Sequence, residues 1–173
     1  MTSETILADY DKAKQKALQT LEDCGILEPA VNPAEIAIEY GVNVFFVTFD
    51  SEYNEKVSGF FDAKENSIYV NGDEYPPRQV FTIAHELGHK FLHEEWAKTS
   101  NYRYLNRAQV ADFHKKDHRE QEADFFAANL LVPERMIKEY QFASVDQLSR
   151  LFMVSRLVIV KRLKYLGLPI NAS

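Results

Sequence analysis

His85 and His89 stand four residues apart with Glu86 between them, in the segment His-Glu-Leu-Gly-His. On a helix this spacing projects both imidazoles from one face, one turn apart. Two imidazoles so placed can hold one zinc ion at about 2.0–2.1 Å each. Glu86, one position on, emerges beside such an ion rather than on it, where its carboxylate can take a proton from water. Zinc lowers the pKa of a water that it holds toward about 7, so a carboxylate suffices as the base at neutral pH. Gly88 removes a side chain between the two histidines, which lets another backbone pack closely there. Chance supplies a His-Glu-x-x-His in about one chain in fifty of this length at uniform composition. The flanking FTIAHELGHKFL is apolar, and polar side chains aimed into apolar surroundings need partners. Two idle surface histidines are therefore the weaker explanation.

A catalytic zinc site takes a third protein ligand and keeps one position open. The segment HREQEADFFAANLL, residues 118–131, offers Glu120 and Glu122. At about 100° per residue, Glu120 shares a stripe with Ala123, Asp124, Ala127 and Leu131. Apart from its two carboxylates that stripe is small and apolar, and it can press against the metal helix. Glu122 points nearly the opposite way, alongside Phe125 and Asn129. Glu120 is thus the expected third ligand. Asp124, one turn later, is placed to accept a hydrogen bond from the free ring nitrogen of a ligating histidine, which fixes its tautomer and orientation.

Other polar residues are assigned more ordinary roles. His93 lies eight residues after His85, whereas a long zinc-protease motif places its third histidine ten residues after the first; a packing or capping role is preferred to the alternative, a histidine that faces substrate or backs a metal ligand. His114 and His118, in FHKKDHRE, are read as a solvated surface pair, and Cys24 as a small buried residue. Tyr75, Tyr102, Tyr104 and Arg107 are alternative donors to a reaction oxyanion, and the sequence does not rank them.

These residues must be positioned by the elements around them. Apolar residues recur at helical spacing over 4–23, and Asn32-Pro33 opens a second helix that ends at Gly41. Three β-like runs follow, Asn43 to Phe49, Val57 to Asp62 and Ser67 to Asn71, for which an antiparallel meander is the economical arrangement. A helix then runs from Pro76-Pro77 through the histidines to about Trp96. Residues 97–117 read as a loop, 118–131 as a helix stopped by Pro133, and a short helix follows. The predicted class is α+β: a small three-stranded antiparallel sheet packed on a helical bundle that carries the histidines. The strand around Ile68, Tyr69 and Val70 is expected at an edge, where an extended peptide could add to the sheet.

The last segment, SVDQLSRLFMVSRLVIVKRLKYLGLP, reads as two short helices. Ser144 with Gln147 makes a capping box, Ser155 caps the second helix and Gly167 ends it. The pair resembles a helix-turn-helix unit, which divides the chain into a metal domain, 1–142, and a C-terminal helical subdomain, 143–173. Five basic residues (Arg150, Arg156, Lys161, Arg162 and Lys164) and no acidic one lie from Gln147 onward, and they suit an acidic partner. The whole chain, 173 residues at a net charge of −6, does not favour nucleic acid as that partner. Packing of Leu151, Phe152, Leu157, Ile159, Val160 and Leu163 into the core is the preferred account of the tail. With one cysteine there is no intrachain disulfide. The opening MTSETILADYDKAKQ carries no secretory signal and no apolar run is long enough for a bilayer, so a cytoplasmic protein without membrane attachment is expected.

The run RQVFTIAHELGHKFLH, followed by EQEADFFAANLLVPE, resembles the ImmA/IrrE family of bacterial and phage metallopeptidases. VSGFFD and SIYVNG fit the strands that precede the metal helix in that family, and the resemblance covers roughly residues 30–166. The pattern from Glu120 to Asp124 is also similar to that of gluzincins, whose first glutamate is the third zinc ligand. The resemblance implies Zn2+ on His85, His89 and Glu120, Glu86 as general base, and a protein substrate. Family members typically cleave a helix-turn-helix repressor and so induce genes of a phage, a mobile element or a stress regulon. The competing reading is a metal-containing regulator that binds a repressor or DNA without proteolysis.

Overall fold

A computed structural model of the chain describes residues 6–99 and 117–172. Helix α1 (Tyr10–Asp23) starts where the Asp9 carboxylate accepts the Lys12 N–H at 2.9 Å, six residues later than the sequence pattern suggests; Ile6 and Leu7 are exposed. Asn32 caps α2 (Pro33–Glu39), with proline at the first position, where its missing N–H costs nothing. Strand β1 (Asn43–Val47) leads through a single helical turn, α3 (Ser51–Asn54), to β2 (Gly59–Asp62) and β3 (Ser67–Asn71). Helix α4 (Pro76–Leu92) carries the histidines, and α5 (Glu94–Ala97) is a short turn after it. Then follow α6 (His118–Leu131), α7 (Glu134–Glu139), α8 (Val145–Phe152) and α9 (Arg156–Leu166).

The sheet is mixed, and the antiparallel meander is corrected. Strand order is β1-β3-β2, with β1 parallel to β3 and β2 antiparallel to it. The β2–β3 hairpin is local: Asp62 accepts the N–H groups of Lys64 and Glu65, and Asn66 takes a left-handed φ of 49°. By contrast, residues 48–58 form a connection long enough to cross over, so β1 need not pair with the strand that follows it. Chain order alone cannot distinguish these cases. The inside place goes to β3 because Ile68 and Val70 are both fully buried. The Ile68–Val70 segment is therefore central, with β1 on one side and β2 on the other, and cannot accept an added strand as an edge would.

Helix α4 lies against the sheet and against α6, which is covered on its other sides by α1 and by the C-terminal helices. Helix α6 is consequently buried on most of its circumference, through Ala123, Phe126, Ala127, Leu130 and Leu131. Full burial of a Phe or Leu side chain is worth about 1.5–3 kcal/mol, so displacing this helix would be costly. At Gly88 the backbone of α4 packs closely on α6. A Cβ there would stand 3.0 Å from Ala123 Cα and 3.2 Å from Phe126 Cδ1.

Both caps expected in the tail are present: the Ser144–Gln147 capping box and the Ser155 side chain on the Val158 N–H. Leu148, Phe152, Ile159 and Leu163 are fully buried and join one core cluster that begins at Ala13. Leu157, expected inward, is exposed. Arg162 is not among the tail's surface charges. It is buried, its Nε donating to the Val132 carbonyl at 2.8 Å and its Nη2 to Asn129 Oδ1 at 2.7 Å. Those acceptors close the C-terminal end of α6, where carbonyls lack helical partners. Among the described residues, no helix is long and apolar enough to cross a membrane.

Candidate metal centre

The seam between α4 and α6 brings His85, His89 and Glu120 to one point. His85 Nε2 and His89 Nε2 are 3.1 Å apart, and the Glu120 carboxylate stands 3.2 Å from the first and 3.0 Å from the second. At bonds of about 2.0–2.1 Å, neighbouring donors around a tetrahedral ion are about 3.3–3.4 Å apart. The two Glu120 contacts are made by different oxygens, Oε2 toward His85 and Oε1 toward His89, and one ligand atom from each of the three residues lies within 4.8 Å of the others, so the three side chains are close enough to hold a metal ion. Among the described residues, the group that could hold a metal ion is made of these three side chains. His85 and His89 are buried and Glu120 is nearly so.

The electrostatics favour a cation at this point. Burial by itself would lower the proton affinity of His85; hydrogen bonds to Asp124 and Glu120 overcome it and raise its pKa to about 10. Burial likewise opposes ionisation of Glu120, yet its bonds to His85 and His89 hold its carboxyl well below the usual carboxylate range. Carboxylates that stabilise a proton on this ring would stabilise a metal ion in the same place.

Each histidine is also held from behind. Asp124 Oδ1 lies 2.9 Å from His85 Nδ1. His89 Nδ1 meets His93 Nδ1 at 3.1 Å, and His93 Nε2 meets Glu122 Oε2 at 2.7 Å. Glu122 Oε1 in turn accepts the backbone N–H of Asp9 at 2.8 Å. Burial pushes the proton affinity of His93 down, its bond to Glu122 opposing. His93 thus backs a ligand, the alternative to a packing or capping role, with a carboxylate partner that the sequence does not name. His93 does cap α4, its N–H bonding to the His89 carbonyl at 2.9 Å, but its ring turns inward, and the helix breaks there instead of continuing to Trp96. The His89–His93 spacing of one turn was the available signal; the partner, Glu122, could come only from the packing of α6.

Glu86 is fully buried immediately after His85. Trp96 lies tilted against His89 and edge-on to His93, at 5.6 and 6.3 Å between ring centres, and carries Arg119 on its face. Tyr75 caps the start of α4, about 15 Å along the helix from His85, and takes no part in the centre. His118 bonds Asp117 at the start of α6, and Cys24 is half-buried at the end of α1. Tyr102, Tyr104, Arg107 and His114 lie outside the described residues.

A helix bearing His-Glu-x-x-His, closed against a second helix that supplies a glutamate and set beside a small sheet, defines a metallopeptidase-type domain. The family model Peptidase_M78, the IrrE N-terminal-like domain, matches residues 37–164, and the chain belongs to this ImmA/IrrE family. Among curated proteins, Metallopeptidase ImmA of Bacillus subtilis (strain 168) is 30% identical over 110 residues, covering 61% of each chain. The uncharacterized immunity region protein 2 of Bacillus phage phi105 is 27% identical over 112 residues, covering 64% of each. The chain thus spans less than two thirds of these relatives' length. A Mycobacterium tuberculosis transcriptional regulator of known structure has the same fold, with a TM-score of 0.64 over 88% of this chain and 55% of that one, at 17% identity.

Proposed function

We propose that the chain is a zinc-dependent endopeptidase acting on a specific protein, a helix-turn-helix repressor of a phage, mobile element or stress regulon. The observation that carries this is the convergence of His85, His89 and Glu120, close enough to hold one metal ion, with the buried Glu86 next to His85 in sequence. A zinc ion bound there would act as a Lewis acid, polarising the scissile carbonyl and acidifying a water molecule. Glu86 is the general base: its carboxylate takes a proton from the attacking water and passes it to the departing amine nitrogen. Asp124 accepts the Nδ1–H of His85 and holds that ring in register with the Glu120 carboxylate across the seam. The relationship to a protein of a phage immunity region supports a regulatory substrate over general digestion.

A small helix-turn-helix repressor encoded beside this chain is the first substrate to test. Incubated with zinc and the wild-type protein it should be cut at one position, and Glu86→Gln should retain zinc while losing cleavage by at least about 10³-fold, as removal of an essential base does. Full derepression in cells carrying Glu86→Gln would instead establish action by binding.

A further inference from the structure

His85 is backed by a carboxylate directly, whereas His89 is backed by another histidine, an unusual partner because an imidazole can either donate or accept at each nitrogen. Two Nδ1 atoms at 3.1 Å can share only one hydrogen. If it sits on His89, the Nε2 lone pair of that ring is free to face a metal ion. If it sits on His93, the remaining hydrogen of a neutral His89 is on Nε2 and blocks the donor set. The contact alone is indifferent between these states.

Glu122 breaks the tie. Its Oε2 lies 2.7 Å from His93 Nε2, and its other oxygen already accepts the Asp9 N–H. A carboxylate accepts only, so His93 Nε2 carries a hydrogen; a ring with that one hydrogen accepts at Nδ1, the shared hydrogen then belongs to His89, and this is the arrangement that leaves His89 Nε2 facing a metal ion. All three of these side chains are buried, so water does not readily substitute for a missing partner. The backbone N–H of His93 bonds the His89 carbonyl as well, which keeps the two rings in register.

We infer that Glu122 and His93 are positioning residues that act through a directed hydrogen-bond relay to fix His89 in its Nδ1–H tautomer, with Nε2 presented to the metal. The relay rests on the metal reading proposed above and extends from His89 to Asp9, the residue that starts α1, so the entry of the chain into its first helix is tied to the metal centre.

The test uses the whole purified chain, zinc affinity from competition with a chelator, and 15N shifts of the His89 ring. His93→Phe keeps an aromatic ring but removes the acceptor, and should weaken zinc binding about ten- to hundredfold. His93→Asn places a carbonyl oxygen near the position of Nδ1 and should restore most of that loss. Glu122→Gln should weaken zinc about tenfold or more when His93 is present and have little effect beside His93→Asn, which needs no carboxylate to choose its direction. The 15N shifts should report His89 protonated at Nδ1 in the wild type. Zinc affinity unchanged in a folded His93→Phe, equal losses in His93→Phe and His93→Asn, or an effect of Glu122→Gln independent of residue 93 would each overturn the relay while leaving the peptidase reading intact. A wild-type protein that takes up no zinc would overturn both.

Discussion

Replacing Gly88 by alanine probes the seam on which the metal centre depends. The added methyl would lie 3.0 Å from Ala123 Cα, 3.2 Å from Phe126 Cδ1 and 3.3 Å from Ala123 Cβ, against comfortable carbon–carbon contacts of about 3.5–4.0 Å. Relieving all three requires α4 and α6 to part by about half an ångström. Overpacking of this kind costs about 1–3 kcal/mol, and the better helix propensity of alanine returns about 1 kcal/mol. The metal-free protein should therefore lose about 1 kcal/mol, a fall in Tm of about 2–4 °C. Zinc should be affected more. Two of the three donor contacts, His85–Glu120 and His89–Glu120, cross this seam, and metal–ligand bonds tolerate displacements of only about 0.2 Å. Affinity should fall by about tenfold or more, equivalent to about 1.4 kcal/mol, read by titration against a zinc chelator alongside thermal melting. Gly88→Ala with wild-type zinc affinity would refute the reasoning, because the seam would then either stay closed or not carry the third ligand.

Further outcomes follow from the same geometry. Asp124→Ala removes the acceptor behind His85 and should weaken zinc about ten- to hundredfold in chelator competition; an unchanged affinity would deny that contact a role. Zinc at about 100 times its dissociation constant should stabilise the native state by about 2.7 kcal/mol, raising Tm by about 5–11 °C over the chelated protein, and no shift would count against a native metal site. Arg162→Met strands the Val132 carbonyl and Asn129 in the interior and should cost about 2–4 kcal/mol in urea denaturation, whereas a surface arginine would cost less than about 0.5 kcal/mol.

Much of this protein is written locally. The three residues of His-Glu-x-x-His, the capping box at Ser144, the proline that opens α2 and the phase that separates Glu120 from Glu122 are all properties of a few neighbouring residues, because helical periodicity relates sequence spacing to direction within one element. Family membership is legible for the same reason, since its motifs are short and contiguous. Whatever joins distant elements was not. The parallel pairing of β1 with β3 depends on where a crossover returns, the burial of Arg162 on the end of α6 it meets, and the exposure of Leu157 on how far the last helix is covered. His93 is the sharpest case. Its spacing placed it one turn from His89, but a histidine ring has no fixed polarity of its own. Only the packing of α6 beside α4, which sets Glu122 against one nitrogen and His89 against the other, decides which way its hydrogen bond runs.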